Sequence, residues 1–324
     1  MTRGSRPGLP ARHSGAALLS AMLTVTLVAT LAATALWRQW RQVEIESAER
    51  TRQQTTWLLA GALDWARLIL REDARSGGTD HLAEPWAVPL QESRLSSFLA
   101  SGQPAADEAG EAFLSGQIID LQGRLNVTNL VDADKVSQPA LEDFGRLFAL
   151  LGLPARELAL LAENLRAATS ASEKPGILLL PQRAEQLTWL GLSARSLDRL
   201  APYITLLPER TPVNLNTAPP EVLYACVGGL EMAQARRLAA QRSLSHFRTL
   251  ADASRALQGS MQPLDASRHS VSSRYFEIRG RLRVGPAAVE DRALIQRDGL
   301  EVKTLWRIRD AQDQLQAGRS TALQ

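Results

Sequence analysis

The run from Ala16 to Leu36, AALLSAMLTVTLVATLAATAL, contains no charged residue. As an α-helix rising 1.5 Å per residue it covers about 30 Å, the thickness of a bilayer's hydrocarbon core, so the chain is expected to carry one membrane-spanning helix near its N-terminus. Arg3, Arg6 and Arg12 precede the run. Trp37, Arg38, Trp40 and Arg41 follow it, the aromatic and cationic belt of a helix end at a membrane interface. The run exceeds the roughly 7–15 apolar residues of a cleaved secretory signal, and the small residue Gly15 stands before it rather than after it.

The helical pattern continues beyond the run. At 100° per residue, Leu58, Leu59, Ala62, Trp65, Ala66 and Ile69 share one face, with Asp64, Arg67 and Arg71 opposite. No proline interrupts residues 16–76, and Ser76-Gly77-Gly78 ends the pattern, which predicts one helix of roughly 60 residues. The stretch from Thr79 to Gly110, with Pro85, Pro89 and Pro104, reads as loops and short helices.

Near the C-terminus the period changes to two. Phe276, Ile278, Leu282 and Val284 alternate with Glu277, Arg279, Arg281 and Arg283. Gly285-Pro286 turns the chain into a second alternating run, Val289 to Gln296. Arg297-Asp298-Gly299 leads into a third, with Val302, Thr304, Trp306 and Ile308 on one face. These runs predict a three-stranded meander, with the arginines of its first strand on a solvated face or serving as edge charges. The tail after Asp310 is expected to fray.

An earlier short strand is expected at Gln117–Leu121, followed by the turn Gln122-Gly123 and a second run, Arg124 to Val127. Between these and Arg274 the pattern is helical: Ala140–Leu151, Ala155–Ala168, Ala184–Leu190, Ala194–Leu200, Pro219–Val227 and Glu231–Gln241. Pro154, Ser193 and Thr217 stand where starts are signalled. The expected fold class is α+β: a long N-terminal helix packed on an antiparallel sheet, with an all-α domain inserted into the head. The expected boundaries are a leader at 1–15, a transmembrane half-helix at 16–36, a head at 37–123 and 268–310, the inserted domain at 124–267, and a tail at 311–324.

Composition limits the chemistry. At 324 residues, 45% hydrophobic and 22% charged, the chain has the make-up of about two folded domains. The formal charge of +3 is accounted for by the three arginines of residues 1–15, so the remainder is balanced and lacks the cationic field of sequence-independent nucleic-acid binding. One cysteine, Cys226, forbids an internal disulfide, and the four histidines His13, His81, His246 and His269 form no metal-ligand spacing. No nucleophile elbow, phosphate loop, zinc-protease or dinucleotide motif is present, and Cys226 on an apolar helix reads as core. An enzyme is not expected.

A basic leader, then Gly15, then an apolar helix resembles a type IV prepilin-like leader, which implies cleavage by a prepilin peptidase between Gly15 and Ala16 and methylation of the new N-terminus. Most members carry glutamate at the fifth mature position, where this chain has Ser20. A carboxylate in the bilayer needs a partner, which the N-terminal amine of a neighbouring subunit would supply; a subunit at a filament tip lacks a neighbour on one side, so a neutral residue suits it. The protein K family of large minor pseudopilins of type II secretion characteristically lacks this glutamate. IIDLQGRLNVTNLV at residues 118–131 and TPVNLNTAPPEVLYACVGG at 211–229 resemble that family's two most recognisable segments.

This resemblance implies a pilin-like head, a place at the tip of the pseudopilus, and the minor pseudopilins I and J as partners alongside other pseudopilins. It also implies a single-pass location in the bacterial inner membrane with the head in the periplasm. It further implies calcium sites in the head, for which Asp132 and Asp134 of Val131-Asp132-Ala133-Asp134 offer oxygen ligands, although the EF-hand glycine is lacking. The alternative is a membrane-anchored DNA receptor using residues 213–252, which resemble a helix-hairpin-helix. There Glu231, directly after the Val227-Gly228-Gly229-Leu230 turn, opposes phosphate.

Overall fold

The computed structural model describes residues 14–94, 112–170, 179–257, 263–285 and 287–313. The expected leader, residues 1–13, and residues 95–111, 171–178, 258–262, 286 and 314–324 lie outside the described residues. The chain divides into two compact units, Met1–Leu58 and Leu59–Gln324.

Helix α1, Ser14–Ser76, supplies the described part of the first unit. Its side chains from Leu18 to Leu36 are exposed, Leu23 at 73%. By length and composition it is able to cross a membrane. Thr26, Thr30 and Thr34 return their hydroxyls to carbonyls three residues earlier, so the polar atoms of this apolar run are satisfied within the helix.

In the second unit α1 packs on a five-stranded antiparallel sheet. The strands are β1 (Leu90–Arg94), β2 (Ala112–Asp120), β9 (Tyr275–Val284), β10 (Ala287–Asp298) and β11 (Glu301–Asp313), in that spatial order. Leu70, Ala66, Phe276, Ile278, Ala293, Ile295 and Val302 form the core between helix and sheet, with Trp86 closing one side. The buried stripe of α1 runs through Leu59, Ala66 and Leu70, turned from the sequence-derived face. Trp65 stays 45% exposed beside an apolar cavity, while Leu70, left out of that face, is fully buried.

The meander lies where the alternation put it, with three corrections. The third strand runs to Asp313, past the expected fraying point at Asp310. A bulge between Leu294 and Ile295 leaves Leu305 unmatched, so Val302 faces α1 while Trp306 joins Leu121, Leu207, Tyr275 and Leu294 on the opposite face. The first strand of the meander, β9, is central rather than an edge, and Glu277, expected outside, is buried against Arg279. Arg283 pairs with Glu92 at 2.7 Å, so the cationic face is partly neutralised. Strand β1 lies where loops were expected; LQESR has no alternation to announce it, and its place comes from pairing with β2.

Between β2 and β9 the chain builds a helical block. Its helices are α2 (Gln138–Leu150), α3 (Ala155–Ser170), α4 (Ala194–Leu200), α5 (Pro220–Cys226), α6 (Met232–Leu244) and α7 (Leu250–Ala256), with a 3-10 helix at Ala184–Leu190. Phe144, Leu147, Phe148, Leu161, Leu187, Leu223 and Leu238 belong to a core of its own. Ser193 caps α4 by accepting from the Ser196 N–H at 3.2 Å. The sequence reading missed α7, although Thr249 and Asp252 form a reciprocal capping box at its start. Two short parallel pairs, β3 (Leu125–Asn126) with β6 (Ile204–Thr205) and β7 (Val213–Asn214) with β8 (His269–Ser270), stitch the block together. The run Arg124 to Val127 is thus a two-residue strand inside the block, not a partner for β2.

Candidate functional site

The two segments singled out in the sequence, 118–131 and 211–229, are bonded to each other. Asn126 accepts from the N–H groups of Thr128 and Leu207, both at 3.1 Å, and donates to the Glu209 carbonyl at 2.7 Å. Asn129 and Thr211 bond reciprocally through the asparagine amide and the threonine backbone, at 2.8 and 3.0 Å. Gln122 donates to the Pro212 carbonyl and accepts from the Arg274 N–H. An added Cβ at Gly123 would come within 2.8 Å of Thr217 Oγ1 and 3.1 Å of its carbonyl carbon, so only glycine lets the two segments approach this closely. Thr217, expected as a helix cap, serves this junction instead: its hydroxyl donates to Asp120 at 2.6 Å, and Pro219 stands at the N-terminus of α5.

Asp120 sits at the centre of a buried polar cluster. Its Oδ1 accepts from the Gln122 N–H, and its Oδ2 from Asn214, Thr217 and Ser273 at 3.0, 2.6 and 2.6 Å. Burial pushes its carboxyl above the usual range while these donors pull it down. Asn214, fully buried, also donates to the Asp80 carbonyl. Arg297 at the end of β10 bonds Asp73 at 2.6 Å, Asp80 at 2.5 Å and the Ser273 carbonyl at 2.8 Å, and lies 4.7 Å over the Phe276 ring. Burial pushes Asp80 up to about 6 against the pull of Arg297. The end of α1, the ends of β2 and β10, and strand β7 thus meet in one network. Sequence reasoning found Thr217 only as a cap residue and missed Asp80, Ser273 and Arg297, whose partners are remote along the chain.

A second cluster ends α5. The carbonyls of Ala225 and Cys226 accept from Arg146 at 2.7 Å and His269 at 3.1 Å, and Asp143 holds Arg146 and Arg268 at 2.6 and 2.5 Å. Cys226 is 1% exposed and burial pushes its thiol up to about 12, which fits the core role read from sequence and not a nucleophile.

Asp132 and Asp134 shape a hairpin. Strands β4 (Val131–Asp132) and β5 (Lys135–Val136) pair across Ala133 and Asp134, whose φ values are +40° and +65°. The Asp132 carboxylate is bound by Arg210 at 2.5 Å and Asp134 accepts from Ser170, so a cation at this pair requires Arg210 to leave. Among the described residues one other group, Asp73, Asp80 and Glu84, brings its oxygens within 4.8 Å of one another, and Arg297 binds the first two. In both sets an arginine already binds part of the carboxylate oxygen that a calcium ion would take.

Gly15 and Ala16 fall within the backbone of α1, their side chains outside the described residues, and Ser20 lies on the same stretch, its carbonyl accepting from Thr24. In the hairpin between α5 and α6, Gly229 takes φ +78°, and Glu231 at the start of α6 exchanges bonds with Gln234. A carboxylate therefore occupies the place where a DNA-binding hairpin would offer its N–H groups to phosphate.

Two family models, both of type II secretion system protein K, match residues 123–209 and 213–272, and so divide the chain inside the helical block. Type II secretion system protein K of Pseudomonas aeruginosa is 28% identical over 299 residues, covering 84% of this chain and 85% of the relative. That of Pectobacterium carotovorum subsp. carotovorum is 26% identical, covering 91% and 96%. In fold, the chain resembles one from the crystal structure of the GspK-GspI-GspJ complex of the enterotoxigenic Escherichia coli Type 2 Secretion System, with a TM-score of 0.59 and 18% identity over 81% of this chain and 98% of that one. The apolar helix, the head with its helical block, the junction of the two marked segments and these relatives agree on one family: the chain matches the models of type II secretion system protein K and resembles that family of pseudopilins.

Proposed function

We propose that this chain is the minor pseudopilin at the tip of the type II secretion pseudopilus, initiating or capping its assembly for export of folded proteins from the periplasm across the outer membrane. The observation that carries the reading is the exposed apolar stretch of α1, Leu18 to Leu36, joined to a head that carries a helical block of about one domain's size. In water such a stretch is unstable; in a bilayer, or against the helices of other subunits, it is not. A head enlarged by this block would be crowded if stacked repeatedly along a narrow filament and is free at its end. Ser20 supports the same place, because a neutral residue there needs no neighbouring amine. Minor pseudopilins I and J are the partners, by analogy with the complex in which the similar fold occurs. The chain is anchored in the inner membrane with its head in the periplasm, and its role is assembly rather than catalysis.

N-terminal sequencing and intact mass of the membrane-extracted protein, with and without co-expressed prepilin peptidase, test the reading. A mature chain beginning at Ala16, one methyl group heavier than its sequence, is the expected result. A chain still beginning at residue 1 or 2 in the presence of active peptidase removes the reading.

A further inference from the structure

Two arginines among the described residues are buried to 9% exposure, and they differ in what faces them. Arg297 has two carboxylates and a carbonyl. Arg242, in the last turn of α6, donates from Nη1 to the Leu215 carbonyl at 2.5 Å and pairs with no carboxylate among the described residues. Burial alone acts on its acid–base equilibrium and pulls it down to about 10. A guanidinium carries five N–H donors, so most of this one's capacity is unspent by the protein, at a depth where a cation ordinarily has a counter-charge.

Arg242 lines a cavity of about 220 Å³ between the segment after α1 and the connection from α6 to α7. His81 and His246 line it, their rings stacked with centroids 3.7 Å apart. Asn216 also lines it, but its amide is used on both sides by the backbone of Phe247. No carboxylate lines the cavity among the described residues, and two leucines stand beside it in water, Leu82 at 56% and Leu244 at 92% exposed.

We propose that this cavity receives a protein carboxylate, an Asp or Glu side chain flanked by apolar residues on a partner polypeptide, with Arg242 as its counter-charge. A carboxylate matches the planar fork of the guanidinium. The volume suits one acidic side chain. A hydrated inorganic anion would leave Leu82 and Leu244 in water, whereas apolar neighbours on a peptide cover them.

The test uses the detergent-solubilised full chain and two capped tripeptides, Leu-Glu-Leu and Leu-Gln-Leu, titrated by ligand-observed NMR. The glutamate peptide is expected to bind at least tenfold more tightly, and Arg242→Gln to reduce it to the level of the glutamine peptide. Leu244→Glu, at a solvent-exposed position that the fold does not use, sets a competing carboxylate at the mouth and is expected to weaken the glutamate peptide at least fivefold; it decides the matter if Arg242→Gln does not fold. Equal binding of the two peptides overturns the proposal, as does a glutamate preference that survives every folded variant. Inorganic phosphate binding more tightly than the glutamate peptide would overturn it too, by marking a site for small anions.

Discussion

Leu23 and Leu70 lie on one continuous helix and meet opposite surroundings, 73% exposed in the first case and fully buried in the second. Around Leu70 the apolar residues form a stripe with a sheet against it; around Leu23 they surround the helix and nothing in the described residues covers them. A stripe needs one partner surface, and the head supplies it. An all-round apolar helix needs an apolar solvent or several neighbouring helices, and those come from outside the chain. The difference teaches that the two halves owe their stability to separate sources and should fail separately.

Leu70→Ala is the strongest way to break that separation. Removing a fully buried leucine from the helix–sheet core should cost about 2–5 kcal/mol. The thermal midpoint of the detergent-solubilised protein should drop while membrane fractionation stays unchanged. Leu23→Ala should leave the midpoint where it was. If both substitutions lower it equally, the two halves are not independent.

Val28→Arg is the complementary test. A charge near the centre of the apolar run costs about 2.5–3.5 kcal/mol on insertion scales. Carbonate extraction should therefore release more of the protein, with the unfolding of the head unaltered. Unchanged retention in the membrane would deny that this run is the anchor.

Within the head, the comparison sharpens at two glycines. At Gly123 a Cβ would press on the backbone of Thr217, which the junction cannot move without disturbing Asp120. At Gly280 it would rest 3.6 Å from Leu59 Cδ2, an ordinary contact. Gly123→Ala should thus cost about 1–3 kcal/mol and Gly280→Ala no more than about 0.5, measured by denaturant unfolding. The reverse order would mean that the helix–sheet packing, not the junction, is the tighter fit.

These contrasts follow how much could be read beforehand. The meander was legible because half-buried strands alternate, and most helices because apolar periodicity and local caps announce them. The bulge at Leu305 was not, since one extra residue leaves the composition of a strand unchanged while moving Trp306 to the other face. Strand β1 was hidden because its pairing, not its residues, makes it a strand. The two marked segments were visible as sequence, and Thr217 read as a cap residue. Their mutual bonding was invisible, as was the Asp80–Arg297 pair, because hydrogen bonds between residues far apart in sequence leave no local period. Asp132-x-Asp134, a ligand-like spacing in the sequence, forms a hairpin corner at which Arg210 binds Asp132, a contact that no local pattern announces.

The smallest expected effect concerns pH, and it belongs to the head alone, because residues 16–36 hold no titratable side chain. Glu84 accepts from the His81 N–H and from Trp86 Nε1, at 2.8 and 2.7 Å. Burial, with Asp73 and Asp80 nearby, pushes its carboxyl from the ordinary 4.5 up to about 7. Between those values the folded head holds a proton that the unfolded chain has released, so stability falls as pH rises through this window and levels off above it. Asp80 and Asp143, both pushed up to about 6, add a fall of the same sign that ends earlier, while His81 and His269, pulled below the ordinary 6.5 by burial, add an opposing rise that is mostly spent by about 6.5, which leaves the limb above it to Glu84. Glu84→Gln keeps an oxygen for both donors and cannot ionise. Its thermal midpoint should match the unsubstituted protein below pH 4.5 and exceed it by a few degrees at pH 7.5, with the upper limb gone. A difference between the two midpoints that does not grow from pH 4.5 to 7.5 would show that water or Arg297 compensates the ionised Glu84, and that the head's acid cluster is less dry than its burial implies.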